Sequence, residues 1–381
     1  MLAATGSSKP SLADVLQSSF RAVTGQSNPV GLPGVDRAVV FLVDGLGASA
    51  LTERAGHART LAGAASKSSV ALSGFPSTTA TGLATLTTAT HPGVHGMVGY
   101  TAYDPGSDRV VELLKGWGPG LDPATWQRSE TVFERAGAAG VPSFAVGVEK
   151  FRSTGFTEAV LRGAEFHSGK SVADRVDRVR ELLDANERAL VYVYAAELDH
   201  ASHSHGKESP RWLRALETVD AAVTSLAATL GSKEGMLVTA DHGSLDVPRS
   251  AHIFFDRIPG LIDGVRFAAG EPRGLQLHFE ADASRELCER VTESWRASEA
   301  DRAWVFTRPE AIAAGLFGPS VDPEVAPRIG DLIVAPRKRI AYYDSRADEK
   351  AQSMVGQHGS LTDEETRVPL LRFGAFARGR G

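Results

Sequence analysis

Ala38-Val39-Val40-Phe41-Leu42-Val43-Asp44-Gly45 is an apolar run rich in β-branched residues that passes directly into an acid and a turn-forming glycine. Continuous apolarity over so short a length fits a strand buried on both faces, as in a parallel sheet covered by helices. Residues 141–146, 190–194 and 236–239 have the same character. Helix-period segments lie between them. Val172, Val176, Val179 and Leu183 share one face, and Trp212, Leu213, Leu216, Val219, Val223, Leu226 and Leu230 share another, opening just after Ser209-Pro210, a cap and first turn. Strand alternating with helix predicts a doubly wound α/β core, a mainly parallel sheet flanked by helices.

Residues able to hold metal fall where these strands end. Asp44 follows the first run directly, Asp199 follows 190–194 after a short extension, and Asp241-His242-Gly243 follows 236–239. In open α/β sheets the site forms beyond the carboxyl ends of the strands, so separate segments deliver carboxylate or imidazole to one edge. Taken singly, each is a turn acid or a His-bearing loop. Their convergence is the signal. Residues 70–72 then lead through Gly74-Phe75-Pro76-Ser77-Thr78-Thr79 into a helix-compatible stretch. A hydroxyl at such a helix start sits among unpaired N–H groups and the positive dipole end, which suits a nucleophile that must also meet a phosphoryl oxygen.

The 381 residues carry 41 Lys plus Arg against 46 Asp plus Glu, a formal charge of −5. That balance argues against a nucleic-acid scaffold, so an anionic substrate needs a local positive site. The single cysteine, Cys288, excludes an internal disulfide and a Cys-rich zinc site, leaving His and carboxylate to hold any metal. We read no targeting segment in the N-terminal residues and no membrane span, and expect a soluble, cytoplasmic protein. Residues 101–127, rich in Gly, Pro and Trp, suggest irregular chain near a site. Residues 247–348 read as an inserted cap subdomain, leaving 1–246 and 349–381 as the catalytic core. Residues 377–381 read as a frayed tail. The sequence leaves the oligomeric state open.

Asp44-Gly45, Phe75-Pro-Ser-Thr-Thr79, Thr88 with Pro92 and His95-Gly96, Asp199 with His203 and Gly206, Asp241-His242-Gly243 and His358-Gly359 stand in an order that resembles the type I phosphodiesterase and nucleotide pyrophosphatase branch of the alkaline phosphatase superfamily. The resemblance implies an alkaline phosphatase-like core with two divalent metal ions, zinc or else manganese, since His and Asp serve both. Asp199, His203 and His358 would hold one ion; Asp44, Asp241, His242 and the Thr79 hydroxyl would hold the other. Thr79, nine positions before Thr88, matches the family nucleophile, with Thr78 as the fallback. His200, His205 and His95 receive no ligand role, and His95 is expected to support the loop before Met97.

The implied activity is hydrolysis of a small-molecule phosphodiester or nucleotide pyrophosphate-type bond through a phosphothreonine. A phosphomonoesterase or a phosphonoacetate-type phosphonate hydrolase on the same metals is the alternative, and a metal-stabilised binding protein is the non-enzymatic one. The chain departs from the pattern at Tyr100, where relatives carry an Asn that donates to a phosphate oxygen; a phenol donates one hydrogen bond in its place. It also lacks the Pro-Asn after the nucleophile, having Ala80-Thr81-Gly82. No sulfatase-type Cys/Ser-x-Pro-x-Arg motif fits.

Overall fold

A computed structural model describes residues 9–118 and 120–377. Seven strands form the central sheet in the order Val70–Leu72, Arg367–Gly374, Glu234–Thr239, Arg37–Val43, Ala189–Ala195, Ser143–Gly147 and Glu165–Ser168. From Glu234–Thr239 to Glu165–Ser168 every neighbouring pair is parallel. Arg367–Gly374 runs antiparallel to both its neighbours. The middle strands are buried along almost their whole length, which accounts for their unbroken apolar character.

The helices take their places through local chemistry. In Pro210–Thr229, Ser209 caps the start by accepting from the Trp212 N–H at 3.1 Å, and Trp212, Leu216, Val219, Val223 and Leu226 are buried. In Val172–Ala185, Ser171 and Asp174 form a reciprocal capping box while Val172, Val176, Val179, Leu182 and Leu183 face inward. The two helices lie against each other, and both apolar faces join the large core cluster.

A second, six-stranded sheet is antiparallel throughout: Ala303–Thr307, Leu332–Pro336, Gly274–Phe279, Val265–Glu271, Thr101–Asp104 and Arg109–Glu112. Four of its strands come from 247–348 and two from earlier in the chain. Residues 101–112 are therefore a hairpin, not irregular chain. Thr101 pairs with Gly270 on one side and Glu112 on the other, and Ala102, Val111 and Leu113 enter a core with Met97, Trp126 and Ile333. The hairpin is stabilised by that distant partner strand, a contact that local composition does not announce. Of the expected tail, residues 378–381 lie outside the described residues. Among the described residues no helix is long and apolar enough to cross a membrane.

Candidate dinuclear metal centre

The carboxyl edge of the central sheet gathers the side chains singled out above. Asp44 follows Arg37–Val43 without a gap, and Asp241-His242 stand just beyond Glu234–Thr239. Asp199 and His203 lie four apart on helix Glu197–His205 and so share a face. His358 follows the short strand Gly356–Gln357, and Thr79 is the first residue of helix Thr79–Thr88. That helix start packs directly on the neighbouring strand end: a Cβ added to Gly82 would lie 2.9 Å from both Cβ and the carbonyl oxygen of Asp241.

The candidate donor atoms converge. His242 Nε2 lies 3.3 Å from Asp44 Oδ1, 3.6 Å from Asp241 Oδ2 and 3.1 Å from Thr79 Oγ1. His203 Nε2 lies 3.0 Å from Asp199 Oδ2 and 3.3 Å from His358 Nε2. The His242 and His358 rings stack at 3.7 Å between centroids, which joins the two groups. Donor atoms of Asp44, Asp241 and His242 lie within 4.8 Å of one another, and so do those of Asp199, His242 and His358.

Backbone contacts fix the imidazoles. Nδ1 of His203 faces the Gly356 carbonyl at 2.8 Å and Nδ1 of His358 the Ser77 carbonyl at 2.9 Å, leaving each Nε2 for the centre. Tyr194 donates its phenol to Asp44 Oδ2, while Asp241 Oδ1 accepts from the Gly45 and His242 N–H groups. Each acid nevertheless keeps one buried oxygen without a hydrogen-bond partner: Asp44 Oδ1, Asp199 Oδ1 and Asp241 Oδ2. Unpartnered acceptors crowded together are costly unless cations neutralise them.

The electrostatics express that crowding. Burial, then Asp241 and Asp199, holds the Asp44 carboxyl well above its ordinary value, and burial raises Asp241 likewise. Burial alone would raise Asp199 too, but the imidazoles of His203, His358 and His242 together outweigh it and hold that acid below the usual carboxylate range. Burial, with His242 adding to it, holds His358 well below the usual imidazole range. Imidazole and carboxylate donors in this mixture match the chemistry of divalent zinc.

Thr78 and Thr79 face different neighbours. Thr79 points to His242, whereas the Thr78 hydroxyl interacts with Glu271, a buried acid pushed up to about 8, chiefly by burial. Tyr100 stands at the start of the 101–112 hairpin; burial and its hydrogen bond to Glu112 raise its phenol above the ordinary value, and Glu271 adds to this. His95, fully buried, accepts from the Met97 N–H at 3.1 Å and meets the Thr85 hydroxyl at 3.1 Å, supporting that loop. His200 and His205 are exposed, the latter against Arg211.

Sequence reasoning passed over Tyr194, Ser77 and Glu271. Tyr194 ends the apolar run 190–194 and reads as core. Ser77 stands inside the nucleophile motif, the one place where its role was within reach. Its hydroxyl donates to the Ser360 carbonyl at 2.7 Å and accepts from the Gly359 N–H at 3.1 Å, which ties the Thr79 segment to the His358 segment.

Residues 38–361 match the model of the family described as type I phosphodiesterase / nucleotide pyrophosphatase. The chain belongs to this family. Phosphopentomutase of Anaeromyxobacter sp. (strain K) is 31% identical over 154 residues, 38% of either chain. An uncharacterized pyrophosphatase/phosphodiesterase of Schizosaccharomyces pombe is 24% identical over 197 residues, 48% of this chain and 39% of the relative. The chain thus spans about two fifths of the length of these curated relatives. The fold extends further than the sequence identity. Murine ectonucleotide pyrophosphatase / phosphodiesterase 5, solved as an inactive form with AMP, superimposes with a TM-score of 0.69 over 89% of this chain and 88% of that one, at 16% identity. Phosphonoacetate hydrolase from Sinorhizobium meliloti, solved with phosphonoformate, gives 0.68 over 90% and 91%, at 18% identity. Membership in this family goes with the mixed α/β architecture and the mostly parallel sheet described above.

Proposed function

We propose that this protein is a two-metal phosphohydrolase that cleaves phosphodiester or pyrophosphate-type bonds through a covalent ester on Thr79. The observation that carries this reading is the 3.1 Å approach of Thr79 Oγ1 to His242 Nε2, inside a ring of three acids whose buried oxygens lack partners. Asp199, His203 and His358 would hold one divalent ion, and Asp44, Asp241, His242 and Thr79 the other, with zinc favoured by the donor set. Bound there, the ions would supply the positive charge that offsets the developing alkoxide and phosphoryl oxygens.

The chain's own groups do the rest. Helix Thr79–Thr88 presents its first N–H groups and positive dipole end beside the Thr79 oxygen, favouring a phosphoryl oxygen there. Thr79 Oγ1 gives its proton to solvent water and attacks phosphorus in line; the bond to the leaving group breaks, and that group departs with the electron pair and takes a proton from water. Water then splits the ester to Thr79, restoring the hydroxyl and releasing the remaining phosphate. Tyr194 keeps Asp44 oriented through both steps, and Ser77 keeps His358 in register with Thr79. Tyr100 lines the wall on the side of the second sheet.

The neighbours with phosphonoformate and AMP keep a phosphonate hydrolase or monoesterase reading in play on the same centre. A panel of bis-p-nitrophenyl phosphate, p-nitrophenyl phosphate and p-nitrophenyl thymidine monophosphate, with phosphonoacetate alongside, decides among them using zinc-reconstituted protein. Preferential turnover of the diesters supports the proposal. Preferential turnover of the monoester or of phosphonoacetate replaces it with the corresponding alternative, and no turnover by fully metallated protein removes the enzymatic reading.

A further inference from the structure

The second sheet delivers a carboxylate to this centre that the proposed chemistry does not use. Glu271 ends strand Val265–Glu271, and its side chain is 5% exposed. Its Oε1 is buried without a hydrogen-bond partner. Oε2 lies 3.7 Å from His358 Nδ1, but that nitrogen already faces the Ser77 carbonyl at 2.9 Å, so the ring does not need Glu271 for its orientation. The neighbouring chain makes room for the acid. Gly359 has φ +128°, and a Cβ added there would lie 2.6 Å from Glu271 Cγ.

Among the described residues no arginine or lysine pairs with this acid. Arg273, two residues on, turns to Glu365, which it grips with two contacts of 2.8 Å, and to the carbonyls of Lys338 and Ile340. Among the described residues the only ion-pair contact of Glu271 is the one with His358. Glu112 stands at the same end of the sheet, since Thr101 pairs with both Gly270 and Glu112, and Tyr100 faces both acids. Glu271 also meets the hydroxyl of Thr78, the residue beside the proposed nucleophile. The wall next to Thr78-Thr79 therefore offers buried carboxyl oxygens without partners.

We propose that Glu271 is a specificity residue: it accepts a hydrogen bond from a hydroxyl or ammonium group on the alcohol part of the substrate, close to the phosphate. The inference rests on the phosphoryl-transfer reading above and narrows its substrate class. A polar acceptor buried without a partner rejects an analogue that cannot donate to it, because binding that analogue leaves the acceptor unpaired. Simple esters of amino alcohols or polyols, which carry such a donor close to the phosphate, fit this wall.

Calorimetric titration of the zinc-loaded protein with ethyl phosphate, 2-hydroxyethyl phosphate and 2-aminoethyl phosphate tests this without requiring turnover. Zinc content is measured on the same samples. The wild type is expected to bind at least one donor-bearing ester about ten- to a hundredfold more tightly than ethyl phosphate, the range of one hydrogen bond to a charged group. Glu271→Met should bring the ratios to near one. Glu271→Gln, which keeps an acceptor but not the charge, should lose most of the preference for the aminoethyl ester, and it serves alone if the Met variant fails to fold. Equal affinity for all three esters in the wild type, or ratios unchanged in the variants, overturns the role of Glu271 while leaving phosphoryl transfer standing. Zinc-loaded protein that binds none of the three also overturns the role of Glu271, while phosphoryl transfer itself is decided by the p-nitrophenyl panel above.

Discussion

Thr79 Oγ1 and His242 Nε2 stand 3.1 Å apart, although helix Thr79–Thr88 and the end of strand Glu234–Thr239 are separate parts of the chain. Thr78, one residue earlier, is turned to Glu271 instead. The helix start thus separates two adjacent hydroxyls by direction.

Thr79→Ala is expected to lower turnover by several orders of magnitude with the fold intact, because it removes the proposed covalent nucleophile. Thr78→Ala should keep much of the activity. Kinetics of the two variants, with circular dichroism as the folding control, check this; similar losses in both would contradict the choice of residue.

Tyr194→Phe deletes the donor to Asp44 and leaves that buried acid with neither oxygen hydrogen-bonded. Partners that orient metal-binding carboxylates are typically worth ten- to a hundredfold in affinity. Zinc affinity measured by competition with a chromogenic chelator should fall by about that factor, with a smaller change in melting temperature.

Arg273 and Glu365 are fully buried and joined by paired contacts at 2.8 Å, and Glu365 also accepts from the Ser360 N–H at 2.9 Å, close to His358. Removing one partner strands the other charge. Arg273→Met should therefore cost about 3–5 kcal/mol in urea unfolding. The double variant Arg273→Met with Glu365→Met should recover a large part of that loss.

His278 offers a pH test away from the metal centre. Burial lowers its imidazole to about 4, against an ordinary value of 6.5, and its Nε2 has no partner. The unfolded chain therefore binds a proton between these values while the folded one does not. Its contribution to stability is full above pH 6.5 and is lost as pH falls from there through about 4, on the order of 3 kcal/mol. Denaturant titrations of His278→Gln should show a flatter dependence across that window than the wild type.

The elements legible in the sequence are those whose burial is symmetric or whose caps are local. Strands Arg37–Val43 and Glu234–Thr239 are wrapped on both faces, so their composition alone marks them, and Ser209-Pro210 announces Pro210–Thr229. Strand Arg367–Gly374 was not expected: it opens on Arg367, carries Pro369 and Arg372, and takes its place from its pairing with Glu234–Thr239. The 101–112 hairpin escaped for the same reason. At the centre, the acids and imidazoles that the resemblance marks out do come together. Glu271 was not legible, because it reaches the centre from another sheet through a residue type that is ordinarily exposed.

The central claim, a covalent phosphoryl ester on Thr79, is tested most directly by acid-quenching zinc-loaded protein during turnover of bis-p-nitrophenyl phosphate and sequencing the modified peptide by mass spectrometry. The account expects one added p-nitrophenyl phosphoryl group on Thr79, absent from Thr79→Ala. Steady turnover with no label on this segment, or a label on Thr78, would contradict it.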